Sequence, residues 1–379
     1  MKIAIVCGHF LPTMGYVEVH LANAFHQLGN EVQVFTSRII PTYVKAVGRL
    51  SDNTPYKIVR LNANFSMGQM VKPKGLIVAV EEFDPQLVVC IGVGKLFPKP
   101  MYQIKNRKFK LVTLLGDNEE TYTTSGAVKK LKNILVQELF KKKTYARAIK
   151  KSDVLFPYTP STLDVIAKFI SDENTQLLQS KSQQISLGFD ETQFYFDELE
   201  RNEQRKQLGI SDNENLLITA TRVVPEKKLE QIVDLVDKVN ERGINLHYLI
   251  VGFQDDQYGE ELKKYISQAT HKNRITCKPF SGTAQLRKYY NAADVAIFNR
   301  AAISIFEALA TGLYLLLPNR KNISHILGEN NGDYFDELKE QDLIGGVIGK
   351  KEGRSDRVNT AEKFSYRNLA NQIITLSEV

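Results

Sequence analysis

At 379 residues, with 43% apolar and 25% charged side chains, the chain has the composition of a globular protein and the length of two domains. No apolar run approaches the ~18 residues of a membrane span, no signal-peptide layout precedes the first strand-like run, and three distant cysteines make no disulfide framework. Residues 1–195 hold 25 Lys and Arg against 16 Asp and Glu, whereas residues 196–379 hold 25 against 27, so the net charge of +7 comes from the first half. We expect a cytoplasmic protein whose basic half suits an anionic partner.

Strand-like and helix-like segments alternate along both halves, a pattern typical of parallel sheets with helices on both faces. The strands predicted in the first half are 3–6, 32–35, 87–91, 110–115 and 153–156, and a helix is predicted over 17–28. The second half repeats the pattern, with strands at 216–220, 246–251, 274–277, 295–298 and 314–317 and helices near 227–240, 257–268, 283–291 and 303–311.

The pattern predicts an α/β protein with two doubly wound parallel-sheet domains in tandem. The first covers residues 1–195 and the second residues 196–360, and a final helix within 361–379 is expected to pack back on the first domain. In such folds ligands bind beyond the carboxyl ends of the strands, so a cleft between the domains is the expected site.

The loop after the first strand, in CGHFLPTMGYVEVH, lacks the Gly-x-Gly-x-x-Gly spacing of a dinucleotide site, because Gly8 and Gly15 do not supply it. This argues against a dinucleotide-dependent oxidoreductase. A loop that ends at Gly15 can still aim backbone amides at a phosphate or a sugar. The alternative is a plain connection between a strand and a helix.

The segment 128–151 is strongly basic, with nine Lys and Arg residues and one acid, Glu138. Its apolar residues recur at helical spacing: Leu131, Ile134, Leu135, Leu139, Ala146 and Ile149. One interpretation is a helix packed on the core with a solvated lysine face. The other is a basic face resting on anionic lipid, which would place the protein peripherally on the inner face of the membrane. The segment lacks the basic-aromatic interleaving that is typical of nucleic-acid binding, so nucleic-acid binding is not expected.

In TATRVVPEKKLEQI, Arg222 and Lys227 flank a turn into a helix that is predicted to begin near Pro225, a residue suited to a first helical position. Two cations beside a helix amino terminus oppose its dipole unless an anion joins them. A diphosphate would resolve this conflict, because Arg offers a planar fork and Lys a point charge. The alternative is a solvated basic turn.

In NRAAISIFEALATG, Ser304 and Glu307 have the spacing of a capping box, in which Glu307 would bond a backbone amide. The helix follows a strand directly, so the same residues also place a carboxylate and exposed amides at the carboxyl edge of the sheet. Asn299 stands eight residues before Glu307, where a second carboxylate would complete a pair. The two interpretations are compatible.

Taken in this order, these stretches resemble the GT-B glycosyltransferases, in particular the retaining enzymes of family 4, over nearly the whole chain. TRVVPEKKLEQIVD resembles the Gly-Arg-x-x-x-x-Lys-Gly segment of that family, and LRKYYNAADVAIFNRAAISIFEALATGLYLLLP resembles its donor-binding strand, loop and helix. The resemblance implies two Rossmann-like domains and metal-independent transfer of a sugar, with retention, from a UDP- or GDP-sugar to an acceptor hydroxyl. The acceptor would be a saccharide or a lipid-linked acceptor of surface glycan, glycolipid or lipid-linked saccharide synthesis, and no further cofactor is implied.

The resemblance also assigns roles to residues. Arg222 and Lys227 would neutralise the departing diphosphate, and Glu307 would accept hydrogen bonds from the ribose hydroxyls. Gly15 would face the donor sugar and the acceptor. The backbone amides expected to hold phosphate are those of Ala302, Ile303 and Ser304. The further candidates for sugar or acceptor contact are His9, Tyr16, Gly116 and Asp117.

Several positions depart from the family pattern. Asn299 replaces the first Glu of Glu-x7-Glu, and it could still hydrogen-bond a donor sugar with donor character. Thr221 and Lys228 replace glycines that flank the Arg/Lys pair. Tyr16 replaces the second residue of a glycine pair. Gly116-Asp117 occupies the place of a His-Asp pair in the family, so the histidine of that pair is missing and His9 is the alternative source of an imidazole.

These departures leave two other functions open. A non-catalytic relative that keeps the fold as a binding or partner subunit fits the lost Glu, although such a subunit has little reason to keep Arg222, Lys227 and Glu307 together. A sugar-nucleotide epimerase of the same fold would need catalytic acids and a histidine that the sequence does not place.

Overall fold

A computed structural model of the chain describes residues 1–39, 52–67, 70–117, 141–348 and 353–378. The chain divides into two compact units: unit 1 is Met1–Leu187 with Tyr366–Val379, and unit 2 is Gly188–Ser365. The division falls at residue 187 and not near 195, because Phe189 already pairs with the far end of unit 2. The amide of Phe189 donates to the carbonyl of Phe364 at 3.1 Å and bridges in parallel to Ser365.

The described elements of the chain up to residue 187 are β1 (Lys2–Cys7), α1 (Val17–Gln27), β2 (Glu31–Ser37), β3 (Lys57–Leu61), β4 (Ala63–Met67), β5 (Met70–Pro73), α2 (Leu76–Phe83), β6 (Leu87–Ile91), β7 (Lys110–Leu115), α3 (Lys142–Lys151), β8 (Val154–Pro157), α4 (Thr162–Ala167) and α5 (Asp172–Lys181). Six of these strands form a parallel sheet in the order β3-β2-β1-β6-β7-β8, and β4 pairs with β5 in a separate antiparallel hairpin.

The described elements of unit 2 are α6 (Glu198–Leu208), β9 (Asn215–Ala220), α7 (Leu229–Glu241), β10 (Leu246–Phe253), α8 (Gln257–Ser267), β11 (Ile275–Pro279), α9 (Thr283–Ala292), β12 (Val295–Ile297), α10 (Ser304–Ala310), β13 (Tyr314–Pro318), β14 (Gly332–Phe335), α11 (Glu340–Ile348) and α12 (Arg354–Ala361). Its sheet is also parallel, in the order β11-β10-β9-β12-β13-β14. The predicted fold, two doubly wound parallel sheets, is confirmed.

Each sheet is covered on both faces, and the first strand shows why. In β1, Ile3 and Ile5 pack into a core that includes α1, whereas Ala4 and Val6 pack into a second core that includes α2 and α3. All four side chains are fully buried. A strand buried on both faces reads as an unbroken apolar run, and this is why the central strands were visible in the sequence.

The last helix, α13 (Tyr366–Ser377), belongs to unit 1, where it packs against α1. Its buried residues Leu369 and Ile373 join the core that contains Ile3 and Ile5. The ring of His20 in α1 stacks on the ring of Tyr366 with centroids 4.6 Å apart. The helix begins at residue 366, and residues 361–365 belong to unit 2. Among the described residues, no helix has both the length and the apolar character needed to cross a bilayer.

Candidate active site

The turn after β9 carries the two cations singled out in the sequence. β9 lies between β10 and β12 in the sheet, and the chain leaves its carboxyl end at Thr221 and Arg222. Residues Pro225–Lys227 then form a single 3-10 turn with Pro at its first position, and the regular helix α7 starts only at Leu229. The side chain of Arg222 is exposed and forms no hydrogen bond with any residue that the structure describes.

A glycine that the sequence reasoning did not identify allows this turn to approach the neighbouring strand. Gly252, near the end of β10, has φ +118°, and a Cβ atom there would lie 2.0 Å from the carbonyl oxygen of Thr221. The carbonyl of Gly252 accepts a hydrogen bond from the amide of Val223 at 3.4 Å. The loop that carries Arg222 therefore lies directly against the backbone of Gly252. In the sequence, the signal of this close approach was a glycine at the end of a predicted strand.

We expect Gly252→Ala to destabilise unit 2 by about 3 kcal/mol or more, because it combines a left-handed backbone with a clash against main-chain atoms. Urea unfolding followed by circular dichroism measures this change. Gly345→Ala is the matched control: Gly345 lies in α11, a Cβ atom there would meet nothing within 4 Å, and alanine favours a helix. A Gly252→Ala variant as stable as Gly345→Ala would contradict the importance of this approach.

Asn299 lies beyond the carboxyl end of β12 and contacts the same turn. Its Nδ2 donates a hydrogen bond to the carbonyl oxygen of Lys227 at 2.9 Å and approaches that of Lys228 at 3.4 Å. The orientation of the amide is fixed chemically, since a carbonyl oxygen accepts and only the NH2 group can face it. The donor character expected for a sugar hydroxyl is therefore used on the backbone, and Oδ1 is the atom that remains for a ligand.

The predicted capping box at α10 is wrong. The helix has Ile303 at its N-cap, already in the right-handed helical region, and no side-chain cap hydrogen bond forms. The amide of Phe306 bonds the carbonyl of Ile303 at 2.9 Å, so the helical backbone begins one residue before Ser304 could cap it. Ser304 becomes the first helical residue, and Glu307 lies one position too far along to reach back to the cap.

The carboxylate of Glu307 is consequently not engaged by its own helix. Among the residues that the structure describes, none donates a hydrogen bond to it, although the side chain is partly buried. Burial raises the pKa of Glu307 to about 7, well above the ordinary value of 4.5. A partly buried carboxylate that has no donor among the described residues is energetically unfavourable, and hydroxyl donors from a ligand would relieve this cost.

A buried tyrosine makes a hydrogen bond to the first residue of α10. The hydroxyl of Tyr290, in α9, donates to the carbonyl oxygen of Ser304 at 3.3 Å, and its ring is fully buried. The amides of Ala302, Ile303 and Ser304 make no hydrogen bond with any described residue. They remain candidates for phosphate contact, as the sequence predicted.

Two further buried residues connect the strands beneath the site, and the sequence reasoning missed both. The hydroxyl of Tyr248 in β10 donates to Oγ1 of Thr219 in β9 at 3.0 Å, and Oγ1 of Thr219 donates to the carbonyl oxygen of Ile297 in β12 at 3.0 Å. This chain of hydrogen bonds joins the three strands whose ends carry Gly252, Arg222 and Asn299. A polar residue within an apolar strand was the available signal.

The predicted residues of unit 1 lie near the carboxyl ends of its own strands. His9 follows β1, and its Nδ1 lies 3.2 Å from the carbonyl oxygen of Ile39. Because that oxygen can only accept, Nδ1 carries the hydrogen and Nε2 presents a lone pair, which is buried and has no partner among the described residues. Burial lowers the pKa of His9, so the imidazole is neutral at pH 7. Gly15 and Tyr16 lead into α1, with Tyr16 as its N-cap.

Gly116 and Asp117 follow β7. A Cβ atom on Gly116 would lie 3.3 Å from the ring of Tyr158, so this position packs closely. The carboxylate of Asp117 accepts a short hydrogen bond from the hydroxyl of Tyr145 and lies 3.9 Å from Nζ of Lys141. These contacts give Asp117 structural partners within unit 1. In the described ranges no cluster of three or more His, Cys, Asp or Glu side chains is arranged to hold a metal ion.

Comparison with known proteins agrees with this geometry. Residues 200–364, nearly all of unit 2, match the sequence profile described as glycosyl transferases group 1. The chain therefore carries a glycosyl transferases group 1 domain on a GT-B fold. Among curated relatives, the uncharacterized glycosyltransferase MJ1607 of Methanocaldococcus jannaschii is 20% identical over 252 residues, 62% of this chain. The match spans 64% of that relative, a little less than two thirds of its length.

Solved structures of GT-B proteins superpose on the whole chain. Anabaena HepE, in a crystal structure with UDP, has a TM-score of 0.73 and 17% identity, with 100% of both chains covered. The sucrose-phosphate synthase of Thermosynechococcus elongatus has a TM-score of 0.67 and 16% identity, covering 100% of this chain and 98% of that one. A glycosyltransferase from Rickettsia africae has a TM-score of 0.68 and 14% identity, covering 100% and 97%. At these identities the likeness establishes the fold.

Proposed function

We propose that this protein transfers a sugar from a nucleotide-sugar donor to an acceptor hydroxyl. One observation carries the proposal: the partly buried carboxylate of Glu307 has no donor among the described residues and lies beyond the same sheet edge as the turn of Arg222 and Lys227. A carboxylate and two cations match a nucleotide diphosphate, whose ribose offers hydroxyl donors and whose phosphates offer negative charge. The group 1 domain, and the UDP bound by HepE, support this class of donor.

The chemistry that we propose retains configuration at the anomeric carbon. The bond from that carbon to the diphosphate oxygen breaks, a bond to the acceptor oxygen forms on the same face, and the acceptor proton passes to the departing diphosphate. Arg222 and Lys227 would stabilise the charge that develops on the leaving group, by several kcal/mol in total as an order of magnitude. We propose on this basis that transfer proceeds without a metal ion.

The residues of unit 1 are proposed to serve the acceptor side. His9 is the best placed of them by its chemistry, because its neutral imidazole presents a lone pair at Nε2. Gly15 and Tyr16 would border the donor sugar at the start of α1. Gly116 and Asp117 stay in the proposal as weaker members, since the carboxylate of Asp117 already has Tyr145 and Lys141 as partners.

Calorimetric titration of the full chain with UDP, GDP and ADP tests the donor class. We expect micromolar binding of UDP or of GDP and much weaker binding of the other nucleotides. The anomeric configuration of sugar released from the matching nucleotide sugar, followed by proton NMR, tests retention. The same reaction with and without EDTA tests metal independence. Absence of binding by all three nucleotides would contradict the proposal and favour a non-catalytic binding or partner subunit.

We further propose that the basic segment 128–151 makes peripheral contact with anionic lipid, near a lipid-linked acceptor. Residues 128–140 lie outside the described residues. In α3 the apolar residues Tyr145, Ala148 and Ile149 are buried in the core of unit 1, so this part offers no apolar face for insertion. Exposed cations remain, including Lys142 and Lys143, and they support a purely electrostatic contact.

The lipid proposal predicts binding to vesicles of phosphatidylcholine with phosphatidylserine at low salt, and loss of binding at about 0.5 M salt, where charges are screened beyond a few ångströms. Co-sedimentation measures it. Charge reversal in Lys142→Glu with Lys143→Glu should reduce binding severalfold, and vesicles of phosphatidylcholine alone serve as the control. Equal binding to neutral and anionic vesicles would refute an electrostatic contact.

A further inference from the structure

One non-glycine residue in the turn of unit 2 adopts a conformation that favours glycine. Lys228 has φ 49° and ψ 48°, in the left-handed region, where a Cβ atom crowds the following carbonyl. It joins the 3-10 turn of Pro225–Lys227 to α7 and acts as the N-cap of that helix without a side-chain cap bond. The turn therefore needs support from outside itself to hold this conformation.

Asn299 supplies that support from the neighbouring strand end. The carbonyl that accepts its hydrogen bond at 2.9 Å belongs to Lys227, immediately before the left-handed residue, and the carbonyl at 3.4 Å belongs to Lys228 itself. The amides of Lys227 and Lys228 are bonded within the turn, to the carbonyls of Val224 at 2.9 Å and Pro225 at 3.0 Å. With these amides satisfied locally, the bond from Asn299 fixes the turn to β12.

We propose that Asn299 is a positioning residue that holds the left-handed turn at Lys228, and through it the cations that receive the diphosphate. The inference rests on the proposed function for its link to nucleotide binding. It connects two departures noted in the sequence, Asn299 and Lys228, as a compensating pair. A carboxylate at position 299 could not donate to the two carbonyls and would repel them, so Asn and not Glu is compatible with Lys at 228.

The proposal predicts coupling between the two positions. Asn299→Asp keeps the shape of the side chain but removes its donor, and we expect it to weaken nucleotide binding about tenfold. Lys228→Gly removes the steric conflict and should change affinity by no more than about threefold. In the Lys228→Gly background the loss caused by Asn299→Asp should shrink to about threefold or less. Asn299→Glu by itself should also weaken nucleotide binding. In the Lys228→Gly background the same substitution should weaken binding much less.

A matched control isolates the turn from the general effect of losing an amide. The Nδ2 group of Asn240 also donates to two backbone carbonyls, those of Val236 and Leu246, both at 2.9 Å. Asn240 lies by the amino-terminal end of β10, whereas the candidate site lies at the carboxyl ends of the strands. Asn240→Asp should lower stability and leave nucleotide affinity unchanged. Calorimetry with UDP or GDP, whichever binds the wild-type protein, measures affinity in all variants.

The unfolding equilibrium of the same variants separates this inference from the proposed function. If the wild-type protein binds no nucleotide but Asn299→Asp and Lys228→Gly are coupled in urea unfolding, the turn is held as proposed and the donor site is refuted. If nucleotide binds and Asn299→Asp costs the same factor in both backgrounds, or costs nothing, then Asn299 does not act through Lys228 and the inference is overturned.

Discussion

Replacing Arg222 with alanine is expected to raise the Kd for the nucleotide diphosphate about 30-fold, within a range of ~10 to ~150. The guanidinium is exposed and forms no hydrogen bond with any residue that the structure describes, so the variant removes only a charge-assisted contact to phosphate. Hydrogen bonds to charged groups contribute about 1.5–3 kcal/mol, and this sets the range. Calorimetry at fixed ionic strength measures the change, because an exposed cation is sensitive to screening.

Two further variants serve as a conservative substitution and as a control for this prediction. Arg222→Lys keeps the positive charge and loses the planar fork, so it should recover part of the affinity and remain several-fold weaker than wild type. Arg242→Ala removes a cation from the end of α7, at the opposite edge of the same sheet, where the arginine pairs with Glu340. It should leave the Kd unchanged. If Arg222→Ala binds like Arg242→Ala, the diphosphate is held elsewhere.

Glu307→Gln is expected to weaken nucleotide binding about tenfold at pH 8, because the neutral amide accepts hydrogen bonds from ribose hydroxyls less strongly than a carboxylate. In the wild-type protein affinity should fall as the pH is lowered through about 7, where Glu307 takes up a proton and loses acceptor strength. The variant lacks this titration and reports the titration of the phosphate alone. Calorimetry between pH 5.5 and 8.5 on both proteins gives the difference that belongs to Glu307.

The same substitution should make the empty protein more stable. The pKa of Glu307 is about 7 in the folded state against 4.5 ordinarily, so between these values the folded state binds more protons than the unfolded chain. The free energy of unfolding therefore falls as pH rises through this window. Glu307→Gln has no such loss and should exceed wild type by about 1–3 kcal/mol at pH 8, with the gain shrinking toward pH 4.5. A variant that binds weakly and unfolds more easily would instead indicate a structural role.

The strands that the sequence failed to predict lie at the edges of the two main sheets or outside them. β3 is half-buried along its length, and β14 is a short strand with an exposed Asp333 at its second position. Neither has the unbroken apolar run of a strand covered on both faces, so neither stands out from its surroundings. The hairpin of β4 and β5 lies outside the main sheet and was missed for the same reason.

Parts of the candidate site could not be predicted from the sequence either. The sequence displayed Ser304 and Glu307 at capping-box spacing, but the spacing does not reveal where the helical backbone begins. Ile303 enters the helix first, and this one-residue difference takes Glu307 out of the cap. The position of Gly252 against Thr221 was equally hidden, because the approach joins two strand ends that are distant in the sequence.

The sequence by itself determined the class of this protein: two parallel α/β domains, a turn with Arg222 and Lys227, and a carboxylate at the start of a helix. These features follow from local periodicity and from residue types at fixed spacing, which a single chain segment carries. Only the tertiary structure decided what Asn299 does. Its amide meets the carbonyls of Lys227 and Lys228 across about 70 residues of sequence, because β9 and β12 are neighbours in the sheet. Such pairings depend on strand order and backbone conformation, and neither is encoded in any one stretch of the chain.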